Sequence, residues 1–98
     1  MNAELIFRRK EARDGYIREM VVWRLPQPIS GCRHLLKYRF YFGTSDGTCL
    51  VRYDNERGKG DHKHIDGTEC PYLFNNLESA FADFLTDIQA ALEKQEVT

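Results

Sequence analysis

Alternating apolar and polar side chains predict four β-strands between Ala3 and Tyr53, because successive strand residues point to opposite faces of a sheet. The first runs from Ala3 to Arg9, with Leu5 and Phe7 on one face and Glu4, Ile6 and Arg8 on the other. The second, Tyr16 to Leu25, sends Ile17, Val21, Trp23 and Leu25 one way and Tyr16, Arg18, Met20, Val22 and Arg24 the other. Pro26 and Pro28 close it, since neither has an N–H for a ladder hydrogen bond. Leu35 to Phe42 alternates most cleanly: Leu36, Tyr38, Phe40 and Phe42 oppose Leu35, Lys37, Arg39 and Tyr41. In the fourth, Thr48 to Tyr53, residues Cys49, Val51 and Tyr53 oppose Thr48, Leu50 and Arg52. Asp14-Gly15 and Asp46-Gly47 supply the hairpin turns, since both positions tolerate positive φ.

Beyond Pro71 the period changes. Leu77, Ala80, Phe81, Phe84, Leu85, Ile88, Ala91 and Leu92 recur at helical spacing and predict one helix over 76–94, with Asn75 or Asn76 as its N-cap. A sheet with one apolar face needs a cover, and this helix supplies it. The expected architecture is α+β: a four-stranded antiparallel sheet covered on one face by a C-terminal helix. Its core is expected to hold Val21, Trp23, Leu36, Phe40, Phe42, Phe81, Phe84 and Ile88. Residues 1–98 read as one domain, with the sheet over 3–53 and a functional loop over 54–67.

The string from Tyr53 to His64, YDNERGKGDHKH, has no apolar residue after its tyrosine and reads as an exposed, chemically active loop. Charge is unevenly spread around it. Residues 1–65 carry 13 Lys and Arg against 8 Asp and Glu, whereas residues 66–98 carry 1 against 7. A basic body and an acidic end suggest an anionic ligand for the first and a separate partner for the second. On the helix, Glu78, Asp83, Asp87 and Glu93 lie off the apolar stripe and suit a basic protein segment. Cys32, Cys49 and Cys70 are an odd number without CxxC spacing, which points away from a disulfide framework and towards a cytoplasmic protein. No apolar run reaches membrane-spanning length, and the charged N-terminus does not read as a signal peptide.

Arg18, Arg24, Lys37, Arg39 and Arg52, with Tyr16 and Tyr41, fall on the face opposite the expected core. Cations neutralise phosphates and tyrosines stack on unpaired bases, so this face is expected to bind RNA, with Lys63 contributing. His62 and His64 point the same way in an extended segment, close to Asp61 and across the loop from Asp54. Histidine titrates near neutral pH, so one ring can take a proton while another gives one. Arg57 and Lys59 would neutralise phosphorane charge, and Gly58 and Gly60 would let backbone N–H groups approach a phosphate. Tyr53, Asp54, Arg57, Lys59, His62 and His64 are therefore the catalytic candidates for a metal-independent ribonuclease without a cofactor. A metal site would need Asp61 or Cys70 as third ligand beside the histidines, and no second standard ligand pair accompanies them. His34 and the cysteines read as structural side chains. The alternative function is a non-catalytic binding module for nucleic acid or protein.

The segments AELIFRRK, VVWRLPQP, KYRFYFG, YDNERGKGDHKH and FADFLTDI resemble the TumE family, toxins of toxin–antitoxin modules, over nearly the whole chain. The resemblance implies a growth-inhibiting protein whose partner is a helix-turn-helix antitoxin; a homodimer is compatible with it. The ribonuclease expectation comes from the loop chemistry and from the general habit of such toxins of attacking RNA.

Overall fold

A computed structural model of the chain describes residues 2–97. The cleanly alternating segment forms β3 (Leu36–Thr44), which is paired on both sides in a meander. Before it come β1 (Glu4–Arg13) and β2 (Tyr16–Arg24); after it come β4 (Cys49–Glu56), β5 (Gly60–Ile65) and β6 (Thr68–Pro71). Each strand pairs antiparallel with its neighbour in sequence. The helix α1 (Leu77–Val97) then packs on one face. The class is α+β as expected, but the sheet has six strands rather than four.

The first extra strand comes from the stretch over 54–67 that polarity marked as a loop, and the second follows directly after it. The first residues of that stretch continue β4, Arg57 to Lys59 form a turn, and Gly60 to Ile65 return as β5. Asp54, Asn55 and His62 are buried in this hairpin. A third dipeptide, Asp66-Gly67, turns β5 into β6. Its φ angles of 51° and 86° closely match the 54° and 84° of Asp14-Gly15, and both have the doubly positive φ of a type I′ turn. Across the sheet end, the loop between β2 and β3 lies directly on the β4–β5 turn, where Gly58 N–H donates to the Ser30 carbonyl at 2.7 Å. A Cβ on Gly60 would stand 2.7 Å from the Gly31 carbonyl oxygen, so this crossing requires glycine.

The covered face is set by pairing with β3. Met20 lies opposite Phe40 and Val22 opposite Tyr38. Met20 and Val22 therefore enter the core, while Val21 and Trp23 stand half-buried on the other face, the reverse of the expected orientation. A bulge between Leu5 and Phe7 separates those two residues as well. Phe7 packs edge-on against Phe81 with ring centres 5.7 Å apart, and Leu5 stays exposed. A second irregularity at Phe42/Gly43 accompanies the burial of Leu50, which alternation had placed opposite the core. Phe40, Tyr53 and Phe84 form the centre, completely buried.

Asn76 caps α1, its Oδ1 accepting from Ser79 N–H at 2.8 Å. Leu85 falls at the edge of the apolar stripe and remains exposed. The acidic residues do not form the free stripe expected from spacing. Asp87 accepts from the Tyr53 hydroxyl and pairs with Lys63 at 3.3 Å, and Asp83 accepts from the Tyr72 hydroxyl at 2.5 Å. These contacts offset the repulsion of two carboxylates one turn apart. Burial, then these carboxylates, push the Tyr53 and Tyr72 phenols well up.

Asn55, in the Tyr-Asp-Asn string, is a buried structural amide. Its Oδ1 accepts from Tyr38 N–H at 3.1 Å and its Nδ2 donates to the Leu36 carbonyl at 2.7 Å, standing in for ladder bonds at the end of β3. Asn55→Ala leaves both backbone groups buried and unpartnered. It is expected to cost roughly 2–6 kcal/mol, at about 1–3 kcal/mol for each of the two orphaned groups. Chemical denaturation checks this, and a loss below 1 kcal/mol would mean water replaces the amide.

Candidate functional site

Residues directly opposite in an antiparallel sheet share a face. On the face away from α1 they form two continuous rows. One reads Arg8, Val21, Arg39, Asp54, His62 and Pro71 from β1 to β6; the next reads Lys10, Glu19, Tyr41, Arg52, His64 and Glu69. At a strand spacing of about 4.8 Å each row spans about 24 Å. The β1 to β3 half presents Trp23, Lys37, Arg39 and Tyr41 beside exposed Arg8 and Lys10. The β4 to β6 half carries the chemistry.

There, Asp54 Oδ1 lies 2.6 Å from His62 Nε2, and Asp54 Oδ2 lies 3.3 Å from Arg52 Nε. The Arg52 guanidinium donates to His64 Nε2 at 2.8 Å, so that nitrogen presents its lone pair. His62 Nδ1 lies 3.2 Å from the Gly60 carbonyl oxygen, and the two imidazoles meet edge to face. Glu56 and Glu69 rim the cluster, 3.5 Å from His62 Nε2 and 3.2 Å from His64 Nε2. His62 is buried, whereas the His64 ring and the Arg52 side chain are partly open to solvent.

Of the sequence candidates, Asp54, His62 and His64 come together, joined by Arg52. Tyr53 does not join them, because alternation turns it to the opposite face, into the core and onto Asp87. Arg57 is exposed in the turn, and Lys59 pairs with Glu69 at 3.3 Å. Gly58 spends its N–H on Ser30, so it is not held ready for a phosphate. Lys63 lies on the helix side, its ammonium near the Tyr53 ring. Arg18 and Arg24 also leave the basic face, because β2 is turned over; they pair with Glu11 and Glu4. Nor is that face free of acids, for Glu19 stands 3.6 Å from Arg39. Glu56 and Glu69 were not foreseen. The overlooked signal was Asp66-Gly67, which predicts a hairpin and would have brought Glu69 beside His64.

A second group, Cys32, His34 and Asp61, lies on the helix side. His34 Nδ1 accepts from Leu36 N–H at 3.1 Å, and Nε2 therefore donates to Asp61 Oδ1 at 2.8 Å. Tyr38 donates to the same oxygen at 2.7 Å, and burial pushes the Cys32 thiol up. Both ring nitrogens of His34 and one oxygen of Asp61 are used in holding the β2–β3 loop and β3 to β5, so the group is structural. The three cysteines are free thiols.

Among the described residues no helix is long and apolar enough to cross a membrane. No curated protein and no solved structure gives a significant match to the chain. A family model described as "Toxin TumE" matches residues 3–92, which include all six strands, the clustered side chains and most of α1. With nearly the whole chain matched, the protein belongs to the TumE toxin family.

Proposed function

We propose that this toxin is a ribonuclease that lays RNA across the open face and cleaves it at the cluster on β4 and β5. Family membership brings a toxin's role and an antitoxin partner; in this reading the antitoxin is a helix-turn-helix protein. The carrying observation is the contact between His64 and Arg52, an imidazole lone pair and a guanidinium 2.8 Å apart at a partly open surface. RNA cleavage needs a base for the 2′-hydroxyl proton, an acid for the departing 5′-oxygen and a cation for the charge on phosphorus. His64 takes the 2′-hydroxyl proton, solvent water at this partly open face protonates the departing 5′-oxygen, Arg52 faces the phosphate, and Asp54, itself against His62, holds Arg52. Trp23, Tyr41, Lys37 and Arg39 supply a stacking and phosphate-binding platform on the adjoining strands. One observation favours a non-catalytic binding module instead: Arg39 and Arg52 already stand beside carboxylates, which weakens their claim on phosphates.

Purified full-length protein is expected to cut single-stranded RNA and to leave DNA of the same sequence intact, since DNA lacks the attacking hydroxyl. Growth inhibition in cells without RNA cleavage by the purified protein would overturn the reaction while leaving the toxin's role.

A further inference from the structure

The geometry points to a divalent-metal site made by Asp54, His62 and His64 at the β4–β5 hairpin, suited to a borderline cation such as Zn²⁺. One donor atom from each residue lies within 4.8 Å of the other two. The Gly60 carbonyl can only accept, so His62 Nδ1 carries the ring proton and Nε2 turns a lone pair inward. In the neutral ring that lone pair stands 2.6 Å from Asp54 Oδ1; with a proton on Nε2 the same contact is an ion pair, although it lacks hydrogen-bond geometry. The His62 side chain is only 4% exposed and that of Asp54 13%, so little water reaches the contact. A ring nitrogen of His64 lies within 4.8 Å of both atoms, and the Nε2 lone pair, taken by Arg52 in the ion-free cluster, becomes a ligand once Arg52 withdraws. A carboxylate oxygen facing that His62 nitrogen across so short a gap calls for a positive charge between them, a proton on Nε2 or a metal ion shared with His64.

The donor set fits a metal ion. Two imidazoles and a carboxylate are common ligands of zinc sites that keep a fourth position open. Such ligands lie about 2.0–2.2 Å from the ion and hence about 3–3.5 Å from one another, so Asp54 and His62, now 2.6 Å apart, must open slightly on binding while all three donors stay within 4.8 Å. An imidazole that gives its outer N–H to a carbonyl is the usual supporting contact of a metal-binding histidine. Arg52 is the cation of the ion-free cluster. Binding requires it to release His64 and keep Asp54 Oδ2, the oxygen that the ion leaves free. Glu56 and Glu69 at the rim offset the added charge. The group at Cys32, His34 and Asp61 lacks these features, since both ring nitrogens of His34 are already engaged.

The inference does not rest on RNA cleavage and its test contains no RNA: with an ion bound, His64 is a ligand and cannot serve as the base, so the ion-bound and ion-free clusters are alternative states. Full-length protein stripped with a chelator, then freed of it, is titrated with Zn²⁺ by calorimetry. Saturable binding of one ion per chain is expected. Asp54→Asn and His64→Ala are each expected to weaken it at least about tenfold, the lower range measured for supporting residues of metal sites. Cys32→Ser is expected to leave it unchanged. Asp54→Asn keeps the side chain's size, and circular dichroism on each variant separates a lost ligand from a lost fold. Absence of saturable binding to the wild-type chain overturns the site. So does affinity that folded Asp54→Asn and His64→Ala variants retain, or affinity that disappears with Cys32→Ser.

Discussion

The His64→Ala chain is expected to fold and to lose growth inhibition, with RNA cleavage reduced about 10²–10⁴-fold, the usual contribution of one positioned proton-transfer group. His64 is the better choice than His62. Its ring is partly open at the surface, so truncation leaves little cavity, whereas His62 lies almost fully buried between Asp54 and Gly60. Removing His62 would mix a loss of chemistry with a loss of packing. The measurement pairs growth curves after induced expression with initial rates on a labelled single-stranded RNA, using protein whose circular dichroism matches wild type. A folded His64→Ala chain that still arrests growth would take His64 out of the mechanism. Arg52 offers a check on the same row: Arg52→Lys keeps the charge but loses the planar fork that reaches Asp54 and His64 together, so partial activity is expected.

Phe84→Ala is expected to cost about 3–5 kcal/mol, the range for truncating a buried phenylalanine. Phe84 is fully buried, 5.4 Å from the Phe40 ring centre and 5.6 Å from that of Tyr53. It therefore joins the helix to both central strands. Natural domains are stable by only about 5–15 kcal/mol, so this one change takes a large share of the total. At roughly 4–8 °C per kcal/mol for a domain of this size, the melting temperature should fall by more than 10 °C. Leu85→Ala is the internal control. That leucine belongs to the same spacing pattern but is 47% exposed, and its loss should cost under about 1 kcal/mol. Equal losses from the two substitutions would mean that α1 does not present the face described.

The parts readable from the chain alone were those in which neighbouring residues decide the outcome. The alternation of Leu36, Tyr38, Phe40 and Phe42, the helical stripe from Leu77 to Leu92 and the doubly positive turn at Asp14-Gly15 are local patterns, and each appears where expected. β2 was misread because both of its faces carry apolar residues. Met20 with Val22 and Val21 with Trp23 satisfy the period equally, and the choice between them falls to register against β3. β5 was missed for the opposite reason. Gly-Asp-His-Lys-His has little β propensity and nothing apolar before Ile65, so its strand geometry comes from hydrogen bonding to β4 rather than from its own side chains.

The same division runs through the candidate site. Period 2 alone puts His62 and His64 on one side, and the chain also shows that a charged, histidine-bearing segment follows a strand. What the tertiary structure decided is the company they keep. The turn at Arg57 to Lys59 sets the register that brings Asp54 opposite His62 and Arg52 opposite His64. The same alternation sends Tyr53 and Lys63 through to the helix side. Strand pairing joins residues about ten apart in sequence at a spacing of about 4.8 Å, and no periodicity within either strand encodes that match. The sequence by itself determined which side chains were available for chemistry; the pairing of β4 with β5 determined which of them meet, because contact across a sheet depends on register and not on order along the chain.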